Sequence, residues 1–295
     1  MTNAHLTKDD IITGLHALGM RAGMGVMVHS SLRSFGHVEG GAVTVIEAVM
    51  DVLTPDGTLL MPSFNHGAPF EHNGPGVYDP RVTPTINGAI PDAFWRMPNV
   101  LRSLDPTHPI AAWGKHAQRY TQHHHRTLTM GPQSPLGLLH ADGGYGLLLG
   151  IDTTYNTFHH VVETTLNSPC LGKRTEAYPV AAPDGLHLGG GVHLVQGRTW
   201  GWRDGECPFT DENRYGALMA ERGLLQQVVI GECPATLFKL QDCFDVVAEL
   251  LRNGGWGFSP CTRCPIRPRV VEHTVESDWD EATQMVKVES VAWEY

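Results

Sequence analysis

Hydrophobic positions in this chain fall into two patterns. Short apolar runs bounded by glycine or proline alternate with segments whose apolar residues recur every three or four positions. Strand-like and helix-like periods in alternation predict an α/β protein with a mainly parallel sheet. Thr7 opens a helix with the stripe Ile11, Leu15 and Leu18, ended by Gly19. Gly25 to His29 reads as a strand, and Val45, Ile46, Val49, Met50 and Leu53 as one face of a helix. Thr58 to Phe64 is the next strand, completing a βαβ unit with parallel strands and a right-handed crossover. A long Gly/Pro/His-rich loop follows from Asn65 to Pro84, then a helix over Asn87 to Arg96 and a strand or loop pair broken by prolines. Leu147 to Ile151 is a buried strand leading to a helix. Ala177 to Gln196 reads as a hairpin, Asp211 to Arg222 as a helix, Gln226 to Gly231 as a strand and Leu237 to Asn253 as an amphipathic helix. Arg269 to Val275 and Met285 to Trp293 are two C-terminal strands. The fold expected is a parallel central sheet flanked by helices, with a smaller appended α+β part. Residues 1–258 form the main domain and 259–295 an extension packed on it.

The chain has 295 residues, 41% hydrophobic and 18% charged, which supports a sizeable core. No apolar run reaches membrane-spanning length, and the polar start lacks a signal-peptide core, so the expectation is a cytoplasmic protein without a membrane partner. A net charge of −10 argues against a nucleic-acid partner and suits a cationic ligand, although acidity also serves solubility.

The stretch from Gly146 to Glu163 concentrates candidate chemistry: a strand, a polar turn, then Thr157-x-x-His160-x-x-Glu163 opening a helix. Either Asn156 or Thr157 can cap it. His160 and Glu163, three apart, share one helical face, a spacing that a helix carrying the pair only for solubility explains equally well. The helix N-terminus favours a neutral imidazole and the carboxylate favours a charged one, an opposition that predicts a pKa near working pH. In open α/β sheets, loops at the carboxyl ends of strands bind ligands. His29-Ser30-Ser31-Leu32 ends another strand and offers amides and hydroxyls to a phosphate, but lacks a glycine-rich fingerprint; an ordinary capped turn explains it equally well.

Other signals are weaker. Cys261 and Cys264 are half of a zinc site, but no second Cys-x-x-Cys exists, so free thiols are the simpler reading and no metal is assigned. His66, Glu71 and His72 in the long loop read as solvated or substrate-lining rather than metal-binding. His123, His124 and His125 cannot share one face and read mainly as surface. No Gly-x-Ser-x-Gly elbow marks a nucleophile.

Taken in order, several motifs resemble the aminoglycoside 3-N-acetyltransferase family. They are Val28-His29-Ser30-Ser31-Leu32, Gly40-Gly41, Pro55 to Pro62, Thr83-Pro84-x-x-x-Gly88, Arg102-Ser103, Pro106-x-His108-Pro109-x-Ala111-Ala112-x-Gly114, Gly131-Pro132-x-Ser134-Pro135-Leu136 and Asn156-Thr157-x-x-His160-x-x-Glu163. They extend over about residues 8 to 255. The resemblance implies acetyl transfer from acetyl-CoA to an amine. It implies His160 as general base, Glu163 as its orienter and Thr157 as a donor near the thioester carbonyl. It implies coenzyme A contacts at His29, Ser30, Ser31, Leu32, Arg33, Ser103 and Pro109.

Amine-binding candidates are Asp204, Glu206, Glu71 and Asn156. The chain departs from the family pattern at Pro109, where serine is common, and the segment from Trp200 to Phe209 does not align. The acceptor is thus an aminoglycoside or another small polar amine, such as a biosynthetic one. A CoA thioester hydrolase with His160 activating water is the competing enzyme, and a ligand-binding protein with a structural zinc the non-enzyme alternative. The expected assembly is a monomer or homodimer.

Overall fold

Thr7 caps the first helix with a full capping box: its side chain accepts from the Asp10 amide, and the Asp10 carboxylate accepts from the Thr7 amide. The computed structural model describes residues 5–166, 171–183, 188–202, 214–252, 279–280 and 285–286. In chain order the elements are α1 (Lys8–Ala17), β1 (Gly25–Ser30), α2 (Gly41–Leu53), β2 (Thr58–Pro62), α3 (Ala89–Trp95), β3 (Leu101–Arg102), β4 (Ile110–Gly114) and α4 (Ala117–Thr121). They continue with α5 (Pro135–Ala141), β5 (Tyr145–Leu149), α6 (Phe158–Thr165), β6 (Leu171–Ala182), β7 (Gly191–Trp202), α7 (Arg214–Glu221), β8 (Gln226–Ile230), β9 (Cys233–Lys239) and α8 (Leu240–Arg252).

Seven strands form the main sheet in the order β3-β4-β2-β1-β5-β9-β8. Its core, β2-β1-β5, is parallel, while β4, β9 and β8 join their neighbours antiparallel, so the sheet is mixed with a parallel centre. The βαβ unit is present: β1 leads through α2 to β2 on one side, and β5 later arrives on the other side of β1. Connections that leave a strand in opposite directions open a crevice at the carboxyl ends, between β1 and β5.

Both faces of the sheet are covered, and the strand period of two shows it. Val26 and Val28 of β1 pack with α1, α2 and α3, whereas Met27 between them packs with residues of α4 to α8. Five aliphatic side chains of α2 (Val45, Ile46, Val49, Val52 and Leu53) are buried, each contributing about 1.5–3 kcal/mol. The hairpin β6–β7 forms the smaller second sheet. The long loop is tied to it at Tyr78, whose amide donates to the Pro179 carbonyl (2.9 Å) and whose carbonyl accepts from the Ala181 amide (2.8 Å). No helix among the described residues is long and apolar enough to cross a membrane.

Two expectations are corrected. The helix predicted from Leu237 begins at Leu240, because residues Cys233–Lys239 form β9 against β5; their inward residues are buried by the sheet, not by a helical stripe. Of the three consecutive histidines only His123 is exposed: a short 3-10 turn directs His124 and His125 inward, where both are buried. Of the two predicted C-terminal strands, only Met285–Val286 falls among the described residues, paired antiparallel with Trp279–Asp280, which neither prediction included; residues 269–275 and 287–293 lie outside the described residues.

Candidate active site

The crevice is built where β1 and β5 end. Beyond β5, Gly150 takes a positive φ of 72°, and Asp152 caps a short turn by accepting from the Thr154 amide at 2.9 Å. Asn156 then starts α6, its side-chain carbonyl accepting from the Phe158 amide at 3.2 Å. Of the two caps considered, Asn156 is the one that forms and Thr157 makes no capping bond.

On the first turns of α6, His160 Nδ1 donates to Glu163 Oε2 at 2.9 Å. Because Nδ1 carries the proton in that bond, the lone pair of a neutral ring sits on Nε2. The side chain of His160 is 22% exposed and that of Glu163 is fully buried, so the base can meet a substrate while its carboxylate stays dry. Burial pulls His160 well below the ordinary histidine value. The expected balance near neutral pH is therefore corrected: desolvation outweighs the carboxylate and the resting ring is neutral.

His159, adjacent, is buried, its Nδ1 bonded to the Asn156 carbonyl at 2.6 Å and its ring 4.0 Å from that of His160. Desolvation lowers its pKa to about 3. His159, His160 and Glu163 offer three metal-ligating atoms within 4.8 Å of one another. Two ligands of one tetrahedral zinc stand about 3.3 Å apart. The 2.9 Å spacing of His160 and Glu163 is that of a hydrogen-bonded dyad.

The resemblance singled out other residues, and the structure sorts them. His29 is buried with Nε2 3.1 Å from Thr157 Oγ1, so β1 and α6 meet at the dyad's edge. Ser30 Oγ is buried and has no hydrogen-bond partner among the described residues. Ser31 lines a cavity of about 940 Å³ with Gly150, Asp152, Thr153 and Tyr155, roofed by Gly216 of α7. Leu32 is half-buried and Arg33 exposed. Ser103 and Pro109 face the interior: the Ser103 hydroxyl lies between His124 Nδ1 and the Ile110 amide, both at 2.8 Å, and Pro109 is buried. Asn156 is committed to its cap and to Cys243 Sγ at 3.6 Å. Glu71 is exposed on the long loop. Asp204, Glu206, Cys261 and Cys264 lie outside the described residues.

Sequence reasoning missed a second wall. Asp105 is buried and accepts from the Thr107 amide (3.0 Å), the His108 amide (2.7 Å) and the Thr129 hydroxyl (2.7 Å). That turn presents His108, whose ring stands 4.7 Å from His66 and 5.0 Å from Phe64. Burial lowers the His108 pKa to about 3, and the nearby His66 and His160 oppose its charge further. Asp105-Pro106-Thr107, an Asp followed by turn residues, was the available signal.

The profile of the family described as Aminoglycoside 3-N-acetyltransferase matches residues 27–252. The chain is 41% identical over 175 residues to the SPbeta prophage-derived aminoglycoside N(3')-acetyltransferase-like protein YokD of Bacillus subtilis (strain 168), covering 53% of this chain and 64% of that protein. To aminoglycoside N(3)-acetyltransferase III of Pseudomonas aeruginosa it is 34% identical over 176 residues, 54% of this chain and 62% of that one. The chain thus spans less than two thirds of the length of these relatives. The crystal structure of YokD superposes with a TM-score of 0.73 at 30% identity, covering 86% of this chain and 96% of the other. A histidine-to-alanine mutant of aminoglycoside acetyltransferase AAC(3)-IVa, in complex with a gentamicin, superposes with a TM-score of 0.71 at 28% identity, covering 86% and 92%.

Proposed function

Because the chain belongs to the aminoglycoside 3-N-acetyltransferase family, we propose that it transfers an acetyl group from acetyl-CoA to an amine of an aminoglycoside, and so confers resistance. The observation that carries this reading is the His160–Glu163 dyad at the mouth of the β1/β5 crevice.

The acceptor ammonium first loses one proton to solvent. As the amine lone pair forms the new C–N bond, a second proton passes from nitrogen to Nε2 of His160. Such a base contributes about 10²–10⁴-fold. The carbonyl oxygen becomes an oxyanion, for which the Thr157 hydroxyl is a donor. The C–S bond then breaks, and the proton returns from His160 to the coenzyme A sulfur. Glu163 holds the ring and stabilises the imidazolium between these steps. The cavity beside Ser31 suits the pantetheine arm. An acidic chain draws in a polycationic acceptor, with Asp204, Glu206 and Glu71 as candidate partners for its ammonium groups. Acetyl-CoA is a cytoplasmic metabolite, which supports a cytoplasmic enzyme, working as a monomer or homodimer.

The test is thiol release from acetyl-CoA with gentamicin, with other aminoglycosides, with simple polyamines and with no amine. Release that depends on an aminoglycoside supports the reading. Equal release without amine overturns it in favour of thioester hydrolysis.

A further inference from the structure

Thr157 occupies the N-cap position of α6, where a threonine hydroxyl ordinarily accepts from a first-turn amide. Its backbone is already helical, φ −71° and ψ −8°, and no capping bond forms. The Asn156 side chain receives the Phe158 amide in its place. The hydroxyl so released meets a residue 128 positions earlier in the chain: Oγ1 lies 3.1 Å from Nε2 of His29. His29 has no loop-like freedom. It is the fifth residue of β1, registered against Leu148 of β5, and 6% exposed.

Burial pushes the His29 pKa down to about 4, so its ring is neutral and carries one N–H. Two arrangements satisfy the 3.1 Å contact. With the lone pair on Nε2, Thr157 donates its only hydroxyl proton to the ring and keeps lone pairs alone for the site. With the proton on Nε2, the ring donates to Oγ1 and the hydroxyl proton is left for another acceptor. A developing oxyanion needs a donor aimed at it before the reaction begins. Hydrogen bonds in series also polarise one another, so a ring that donates makes the hydroxyl a better donor.

We propose that His29 is a positioning residue of acetyl transfer, its Nε2–H fixing Thr157 so that the threonine hydroxyl points its proton at the thioester carbonyl oxygen. The proposal rests on the reading of Thr157 as that donor. It gives the histidine of the first strand a role in the transfer step rather than in holding coenzyme A.

Two amide substitutions separate the atoms of the ring. A glutamine amide nitrogen reaches the place of Nε2; an asparagine amide reaches only that of Nδ1. His29→Gln is expected to keep kcat within about threefold of wild type, and His29→Asn to lower it about 10–100-fold, a part of what losing an oxyanion donor costs. KM for acetyl-CoA should stay unchanged in both. Thr157→Val should lower kcat about 10²–10³-fold, and adding His29→Asn to it should cost nothing more, because the two act as one unit. Equal kcat losses in the Gln and Asn variants, or losses that multiply in the double variant, overturn the proposal. Histidine ring 15N NMR on the wild-type protein decides independently of folding: a proton on Nε2 of His29 supports it, and a proton on Nδ1 defeats it. Since the tautomer is read without turnover, failure here is distinguishable from failure of the acetyltransferase reading, which shows as no aminoglycoside-dependent thiol release by the wild type.

Discussion

Glu163 lies entirely inside the protein and accepts, at 2.9 Å, from the ring of a His160 whose side chain is 22% exposed. A buried carboxylate is tolerated when a donor satisfies it, and here that donor is the residue proposed to become an imidazolium. Glu163→Gln keeps the shape and removes the charge. It is expected to lower kcat on the order of 10²–10³-fold, since the cation formed in the transfer step loses its counter-charge. His160→Ala should cost about 10²–10⁴-fold while acetyl-CoA still binds. Steady-state kinetics and calorimetric titration with the coenzyme check both, and an unchanged kcat in either variant removes the dyad from the chemistry.

The pH dependence of kcat follows from the same pair. The working form of His160 is neutral, and burial holds its pKa below the ordinary value of about 6.5. With an acceptor amine of low pKa, kcat should be level from neutral pH upward and fall only as the pH drops well below about 6.5. Glu163 favours the protonated ring, so Glu163→Gln should move the acid limb to still lower pH. A wild-type limb centred at or above about 6.5 would contradict the desolvation assigned to this ring.

Much of this was legible in the sequence, and the parts that were not share a cause. The βαβ unit, the loop after β5 and the His160–Glu163 spacing are local features, set by period and by residues three or four apart. What escaped depends on tertiary context. The end of β9, from Leu237, is read as the start of a helix because Leu237 continues the stripe of α8, and only pairing with β5 makes it a strand. His124 reads as surface because no local rule reveals that Asp105 and Ser103 approach it from another segment. The contact between His29 and Thr157 joins strand and helix ends that only the sheet order brings together.

Asp105 is expected to be the most sensitive polar residue of the second wall. Its carboxylate gathers two backbone amides and two hydroxyls in a buried place. Asp105→Ala leaves those donors unmatched and should destabilise the protein by roughly 2–5 kcal/mol. By loosening the turn that carries His108, it should also lower activity in whatever fraction stays folded. Urea denaturation measures the first effect; a midpoint within error of wild type would show that water replaces the carboxylate without loss.

Acid stability offers a test of the buried imidazoles together. His29 is held at about 4, and His125 and His159 at about 3, each chiefly by desolvation. In the unfolded chain all three titrate near about 6.5. Their folded pKa values are lower, so the stabilisation that comes from keeping them neutral is complete above about pH 6.5. It is lost as the pH falls toward about 4 and then about 3, where the unfolded state binds more protons than the folded one. Each fully developed proton of difference contributes a slope of about 1.4 kcal/mol per pH unit, and these three act in the same direction as the desolvated His108 and His160. Chemical denaturation followed from about pH 8 to about 4.5 should therefore show a plateau down to about 7 and a steep decline below about 6. His125 is the cleanest member to remove, since its buried Nδ1 has no hydrogen-bond partner among the described residues and it plays no part in the proposed chemistry. His125→Phe should flatten the decline by about one proton's worth. A stability curve that stays level between about pH 7 and 5, or one that His125→Phe leaves unaltered, would mean that these rings are hydrated or charged in the native state.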